Sequence, residues 1–410
     1  MRILYIVPFV PWSLRVRSFN LIPRLARRHR IHLVCLATSG NDLSSLNGLG
    51  SFCSTVRCAT HSRTRALVQA LKALPTRVPV RMAYAASPAM ETIVRNAIES
   101  EQPDLIYVER WRALSYVPPN SGVPVLCDPT DSMILYNRRL MASGSWWEKM
   151  IGMEEYAKFL RHEPALARRA DLTVFCSMVD RDCLQAQDPG LQCEIVPNGV
   201  DCRHFFPKGE KESEPATAIL TGNFGYRPNL HAAIYFMKTI LPSILRGCPQ
   251  FKLLVVGNGA TQKLRKHITG NIELIDFVSD LRPYLAKATV AIAPMTVGVG
   301  VSNKVLQALA VGTPVVASSL ACGDLPVRDG EHLYLADSPG LFAGRVLEVL
   351  QDGSLRSRMA AKGRTLVETK YDWDIVVRRL EDLMHQLTEN RTVVSERSAD
   401  PAPASPVRRG

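Results

Sequence analysis

The sequence predicts an α/β protein made of two doubly wound domains, each with a parallel sheet covered by helices on both faces. Three observations carry that prediction. Short apolar strands alternate with amphipathic helical stretches along the chain, and the alternation restarts after a polar break near residue 200. The 410 residues also exceed what a single ordinary core accommodates.

The first strand series is Ile3–Val7, Ile31–Leu36, Leu105–Val108, Val123–Cys127, Leu172–Cys176 and Gln192–Val196. Helical spacing lies between these runs, for example over Arg17–Arg28, Ala89–Ser100 and Tyr156–Arg168. The turn cluster Pro197-Asn198-Gly199-Val200-Asp201 and the charged stretch Lys208–Pro215 then interrupt the pattern. A second series follows at Ala218–Leu220, Lys252–Gly257, Ile272–Leu274, Val290–Ala293, Pro314–Ala317 and Leu333–Leu335. Ile375, Val376, Leu380, Leu383 and Leu387 recur at helical spacing and predict a closing helix. The expected division is therefore 1–200, 201–370, a closing helix over 371–388, and a disordered tail over 389–410 that is rich in Ser, Pro, Ala, Arg and Glu. In open parallel sheets ligands bind beyond the carboxyl ends of the strands, so the expected site is the cleft between the domains.

Composition excludes several classes. No apolar run approaches the roughly 18 residues of a spanning helix, and the opening MRILYIVPFVPW reads as a buried strand, not a signal peptide. Ten cysteines without CxxC pairing read as thiols of a reducing compartment, and nine histidines form no cluster, so no protein-built metal site and a cytoplasmic location are expected. The net charge of +12 gathers in Arg24–Arg30 (RLARRHR), around Arg63–Arg81, and at Arg138–Arg139 and Arg168–Arg169. Aromatics do not interleave with these cations as stacking platforms, which argues against nucleic acid. An anionic membrane surface and an ordinary solvated face both remain open.

Residues Pro294 to Ala317 (PMTVGVGVSNKVLQALAVGTPVVA) read as strand end, glycine loop, helix and second strand. Gly298 and Gly300 let the backbone approach a ligand, and the helix starting near Ser302 presents free N–H groups that favour a phosphate. Lys304 lies in the first turn, where a cation opposes the macrodipole unless an anion compensates it. The alternative is a glycine-rich connection with a solvated lysine. The GNG at 257–259 lacks the third glycine of a dinucleotide fingerprint, so a plain dehydrogenase is not supported.

Two Rossmann-like domains and four segments in order carry a resemblance: IVPNGVD at Ile195–Asp201, LTGNFGYRPNLHAAIYF at Leu220–Phe236, FKLLVVGNG at Phe251–Gly259, and NKVLQALAVGTPVVAS at Asn303–Ser318. Together they resemble glycosyltransferases of family four with the GT-B fold, two Rossmann-like domains facing across a cleft. The nearest flavour is the bacterial sugar transferases of exosortase and exopolysaccharide loci. The resemblance implies transfer of a sugar from a nucleotide diphosphate donor to a hydroxyl of a lipid-linked or polysaccharide acceptor, with retention and without a metal or other cofactor. It places the enzyme in the cytoplasm or at the inner face of the membrane, with the donor on the second domain and the acceptor on the first.

On the donor side, the resemblance implies that Gly222, Asn223 and Gly225 lie under the diphosphate and that a basic pair neutralises the leaving group. Asn223 stands where relatives carry an arginine, so Arg227 is the expected substitute, with Lys304 as its partner. The family's two glutamates fall on Val299 and Gln307, leaving Gly300, Ser302, Asn303 and Gln307 as the expected sugar contacts. On the acceptor side the candidates are Arg17, Glu109 with Arg110, and Asp128 or Asp131 after the strand ending at Cys127, with Asp131 the preferred group for chemistry. Arg17 can equally snorkel, Asp128 can be a turn residue, and Glu109 with Arg110 can be a local ion pair. The altered glutamates also leave open a non-catalytic binding or scaffold module. A nucleotide-sugar epimerase on the same fold is the weaker alternative.

Overall fold

The chain's first strand, RILYIV, is buried on both faces, which is what a parallel strand between two helical layers requires. In the computed structural model, residues 1–12, 15–37, 48, 50–143, 146–207, 214–297 and 301–399 are described, with 143 and 390–399 as backbone only. The first sheet comprises β1 (Arg2–Val7), β2 (Arg30–Ala37), β3 (Thr55–Thr60), β4 (Leu105–Glu109), β5 (Val125–Thr130), β6 (Leu172–Phe175) and β7 (Cys193–Ile195). All pairings are parallel, in the order β3-β2-β1-β4-β5-β6-β7. The second sheet comprises β8 (Glu214–Thr221), β9 (Lys252–Val256), β10 (Ile272–Ile275), β11 (Ala288–Ala293), β12 (Val315–Ala317) and β13 (Tyr334–Leu335), parallel in the order β10-β9-β8-β11-β12-β13. Strand order reverses between β1 and β4 in one sheet and between β8 and β11 in the other, and such a switch point opens a crevice at the carboxyl ends.

Alternate side chains of each strand feed opposite faces. Leu4 and Ile6 pack with Val34, Ile106 and Val108 on one side, while Ile3, Tyr5 and Val7 pack with Leu33, Cys35 and Tyr107 on the other. The second of these faces also receives the final helix, Trp373–Ala399, through Trp373, Val376, Val377, Leu380 and Met384. The last element therefore crosses back and completes the first domain.

The two crossings between domains touch. The Val200 N–H donates to the Tyr371 carbonyl at 2.8 Å, and the Trp373 N–H returns a bond to the Val200 carbonyl at 3.1 Å. Asp372 accepts from the Cys202 N–H at 3.0 Å. A Cβ added to Gly199 would lie 2.8 Å from Trp373 Cδ2 and 2.9 Å from the Tyr371 carbonyl oxygen. The glycine of the turn cluster is thus required by close approach of the returning chain.

Three differences from the sequence expectations have physical reasons. Strand β3 was not foreseen, because as a half-exposed edge strand containing Arg57 it lacks an apolar run. The closing helix passes its expected end at 388 and continues to Ala399, so helical backbone covers part of the stretch expected to be disordered; residues 400–410 lie outside the described residues. The RLARRHR cluster is largely consumed by ion pairs. Arg24 binds Asp201 at 2.7 Å and Asp374 at 3.1 Å, and Arg28 and His29 meet Glu381 at 3.2 and 3.0 Å. Arg24 and Arg28, with a hydrogen bond from the His29 ring, fasten the first helix, Val16–Leu25, and the turn after it to the interdomain crossing and the final helix.

Gly199→Ala is expected to destabilise the protein by roughly 1–3 kcal/mol through overpacking against Trp373. Urea unfolding measures this, and an unchanged midpoint would contradict the close-approach reading.

Candidate functional site

On the second domain, β8 ends in the turn Gly222-Asn223-Phe224-Gly225, and the helix Arg227–Tyr235 follows. Asn223 folds the turn on itself, its Oδ1 accepting from the Gly225 N–H at 3.0 Å. The turn is laced to the loop after β9 by Gly222 N–H to the Val256 carbonyl (3.1 Å) and Phe224 N–H to the Asn258 carbonyl (2.8 Å). Gly257, at φ +143°, sits so close that any Cβ would collide with the Gly222 carbonyl.

Asn229 ties this turn to Lys304. Its Nδ2 donates to the Asn223 carbonyl at 3.0 Å, and its Oδ1 accepts from Lys304 Nζ at 2.7 Å. Among the described residues its other close polar neighbour is Met295 Sδ at 3.3 Å, and no carboxylate lies within ion-pair distance. Burial lowers the lysine to about 8. A cation held in a low-dielectric wall with no counter-charge is unfavourable until an anion arrives. Lys304 belongs to the first turn of the helix Asn303–Val311, whose start adds positive partial charge.

The other expected donor contacts divide. The Ser302 N–H is already donated to the Ala321 carbonyl at 3.1 Å and its side chain makes no capping bond, so that amide is not free as the sequence suggested. Asn303 lies beside Lys304 in the same turn with a buried, unpartnered Oδ1, and Gln307 is half-buried one turn further. Val299 and Gly300 lie outside the described residues.

On the first domain, the ends of β4 and β5 carry the charged groups. Asp128 is fully buried and accepts from Arg17 Nε and from the Tyr107 hydroxyl. Arg17 also donates to the Pro197 carbonyl at 3.2 Å and to Asn198 Oδ1 at 3.3 Å. These two candidates therefore form a buried pair under the interdomain turn, in which Arg17 Nη2 and Asp128 Oδ1 remain without a hydrogen-bond partner among the described residues. Glu109 is buried beside them, accepting from the Tyr5 hydroxyl at 3.1 Å, and burial, opposed by Arg110, pushes it up to about 7.

Asp131 stands further out, 3.3 Å from Arg110 Nη1. Burial raises its carboxyl and Arg110 opposes the rise. The backbone around it is strained: Arg110 and the β-branched Thr130 have φ of +78° and +73°. That geometry is held from behind. Asp180 accepts from the Ser132 N–H at 2.8 Å, and Glu163 accepts from the Ile134 N–H at 2.9 Å and from Trp111 Nε1 at 3.2 Å.

The two walls face each other. The phenol of Tyr226 is pushed up first by burial and then by Asp131 and Tyr136 of the opposite domain. Arg227 pairs with Glu148 of the helix Trp146–Ala167, and the Met178 N–H donates to Asp324. Arg227 and Lys304, expected as a basic pair, thus have separate partners: Arg227 reaches across the cleft to Glu148, whereas Lys304 stays on its own wall. Tyr226 and Asn229 were overlooked although they flank Arg227 in the YRPN run. No local pattern could have marked Glu148, because its role depends on a second domain.

Comparison with known proteins places this geometry. The family model described as Glycosyl transferases group 1 matches residues 215–352. The chain is 31% identical over 210 residues, 48% of its own length and 54% of the relative's, to a phosphatidyl-myo-inositol mannosyltransferase of Mycobacterium tuberculosis. It is 24% identical over 251 residues, 59% of its length and 63% of the relative's, to a 44.6 kDa protein of the cps region of Klebsiella pneumoniae. The matches thus span little more than half the length of these curated relatives. Among solved structures, the sucrose-phosphate synthase of Thermosynechococcus elongatus superposes with a TM-score of 0.70 at 17% identity, over 95% of this chain and 100% of the other. Anabaena HepE in complex with UDP gives 0.69 at 16% identity, over 94% and 100%. These likenesses show the GT-B fold.

Glu163, raised to about 8 by burial, and Glu109 and Asp180, each raised to about 7, bind protons in the folded state that the unfolded chain has already lost. Stability from these groups therefore falls as pH rises towards 8. The melting temperature is expected to decline as pH rises from about 5 to about 8, and Glu163→Gln to make that decline shallower. An equal slope in the variant would contradict the assignment.

Proposed function

We infer that this chain, whose residues 215–352 belong to the glycosyl transferases group 1 family within a two-domain GT-B frame, is a glycosyltransferase using a nucleotide diphosphate-sugar. The observation that carries the reading is Lys304: a desolvated cation without a carboxylate partner among the described residues, beside a helix start and a glycine turn, is a site prepared for a diphosphate. In this reading the bond from the anomeric carbon to the diphosphate oxygen breaks and its electron pair leaves with the diphosphate. Lys304 and the first-turn amides stabilise the charge that builds there. The acceptor hydroxyl oxygen bonds to the same carbon on the retained face, and its proton passes to the departing phosphate oxygen.

Asp131, held at the cleft by Arg110 and the strained Thr130, orients the acceptor hydroxyl. Tyr226 closes the space between donor turn and acceptor wall. Asn303 and Gln307 meet the sugar or ribose hydroxyls, and Arg227 with Glu148 sets the closure of the cleft and so acts on the leaving group indirectly. The acceptor is lipid-linked or a growing polysaccharide at the cytoplasmic face of a membrane. A phosphatidylinositol-modifying relative and a relative from a cps region support this class. No metal is required, since Lys304 and the helix start supply the positive charge. A second reading, a binding module without turnover, is favoured by one observation: Gln307 stands where a carboxylate would grip the donor more strongly.

The test is thermal stability against a panel of nucleoside diphosphates and their sugars, because a ligand of the folded state raises the melting temperature. A shift with one base, deepened by one sugar, is expected; no shift with any member would sink the reading. Lys304→Ala is expected to lower turnover by about 10²–10³-fold, the effect of losing one preorganised charge-stabilising donor. Arg227→Ala should lower it less, and wild-type turnover in both would remove the diphosphate site. Binding without product for any acceptor class would select the non-catalytic module.

A further inference from the structure

The helix Arg63–Ala73 is turned the wrong way round for an ordinary surface helix. Its buried side chains are only Ala66, Ala70 and Ala73, while Leu67, Val68 and Leu71 point outward, Leu71 being 65% exposed. Exposed Leu74 and Val78 continue the row. Exposed Arg63, Arg65, Lys72 and Arg77 fringe it, and among the described residues none of them has a carboxylate within ion-pair distance. The sequence carries no acidic residue between Asp42 and Glu91.

A second exposed apolar group adjoins the first. At the start of the helix Trp146–Ala167, Trp146 and Trp147 stack at 3.6 Å between ring centroids, both largely exposed, with Met150, Ile151 and Met153 exposed behind them. This helix is fastened to the first patch: Lys158 Nζ donates to the Ala73 carbonyl at 2.9 Å and the Leu74 carbonyl at 3.2 Å, and Glu155 accepts from the Val80 N–H at 2.6 Å. The next residue, Arg81, lies over the Tyr136 ring at 4.8 Å, and Tyr136 is one of the groups facing Tyr226 in the cleft. Arg81 and Tyr136 thus connect the foot of the first patch to the cleft.

We propose that the outward row of Leu67, Leu71 and Leu74, with Trp146 and Trp147, is a docking surface for an anionic lipid bilayer that sets the acceptor wall of the cleft against the membrane. Three features select a bilayer. Apolar residues on an exposed helix with a cationic fringe are the composition of an interfacial helix. Tryptophan settles at the headgroup level. A fringe of cations with no acidic residue complements anionic lipid, whereas a self-association face would need its own negative charge. The proposal names the membrane partner of the transferase reading and rests on it for its biological sense, though not for its test. Among the described residues no helix is long and apolar enough to cross a membrane, so the attachment is by surface contact.

The test is sedimentation of the full chain with phosphatidylcholine vesicles, with and without phosphatidylglycerol. Wild-type protein should pellet with the anionic vesicles and be released by salt. The double variant L67E/L71E should lose about tenfold or more in partition coefficient, and removal of each fringe cation about fivefold. The melting temperature and the nucleotide-induced shift should remain unchanged, since both leucines are exposed and far from the donor wall. Wild-type protein left in the supernatant, or a leucine variant that pellets equally, would overturn the proposal. So would a dimer in light scattering that the leucine variant splits. Vesicle binding with no nucleotide-induced shift would uphold the docking surface and sink the transferase reading.

Discussion

The structure depends on the paired crossing of the chain between its two domains. Parallel sheets present ligands only at their carboxyl ends, so a two-sheet site exists only if those ends are held facing each other. Here the outgoing strand of the crossing at Val200 and the returning one at Tyr371–Trp373 bond to each other, and Gly199 leaves room for Trp373 to pass. Arg24 ties both segments to the first helix. Arg17 adds a buried link, joining Asp128 at the end of β5 to Pro197 and Asn198 of the turn. The hinge and the acceptor wall thus share one charged network.

That arrangement separates charge in a useful way. The wall around Lys304 offers a cation with no carboxylate partner among the described residues, and the facing wall offers carboxyls raised by burial. Both conditions are unfavourable in the empty protein, and a diphosphate relieves the first of them. The strained backbone at Arg110 and Thr130 belongs to the same pattern, since strain at a cleft persists only where its surroundings enforce it. Glu163 and Asp180 supply that enforcement from behind, through backbone N–H groups at the start of the next helix.

The fold was legible in the sequence because buried parallel strands leave unbroken apolar runs, and all the runs read from the sequence became strands. Strand β3 escaped because an edge position tolerates Arg57 and half-exposure. The clustering of Lys304 with Asn223 and the glycine turn was also legible, since they lie in short continuous segments whose chemistry is local. What could not be read were relations between distant segments. The sequence suggests Arg227 as the partner of Lys304, yet its guanidinium meets Glu148 from the other domain. Arg17 and Asp128 form one buried pair across 111 residues of sequence, though Arg17 Nη2 and Asp128 Oδ1 stay unpartnered among the described residues. In the Arg24–Arg30 cluster Arg27, Arg28 and Arg30 are surface charges, whereas Arg24 is an inner fastening whose partners Asp201 and Asp374 lie far along the chain.

The central claim is that Lys304 awaits an anion, and proton uptake on binding tests it most directly. With its ammonium lowered to about 8 in the empty site, Lys304 is half protonated at that pH, and a bound diphosphate restores full protonation. Calorimetric titration with the nucleoside diphosphate selected by stability screening, repeated at pH 8 in buffers of different ionisation enthalpy, should show uptake of about half a proton. Lys304→Met should abolish it. Binding with no net proton uptake, or uptake unchanged in the variant, would contradict the account.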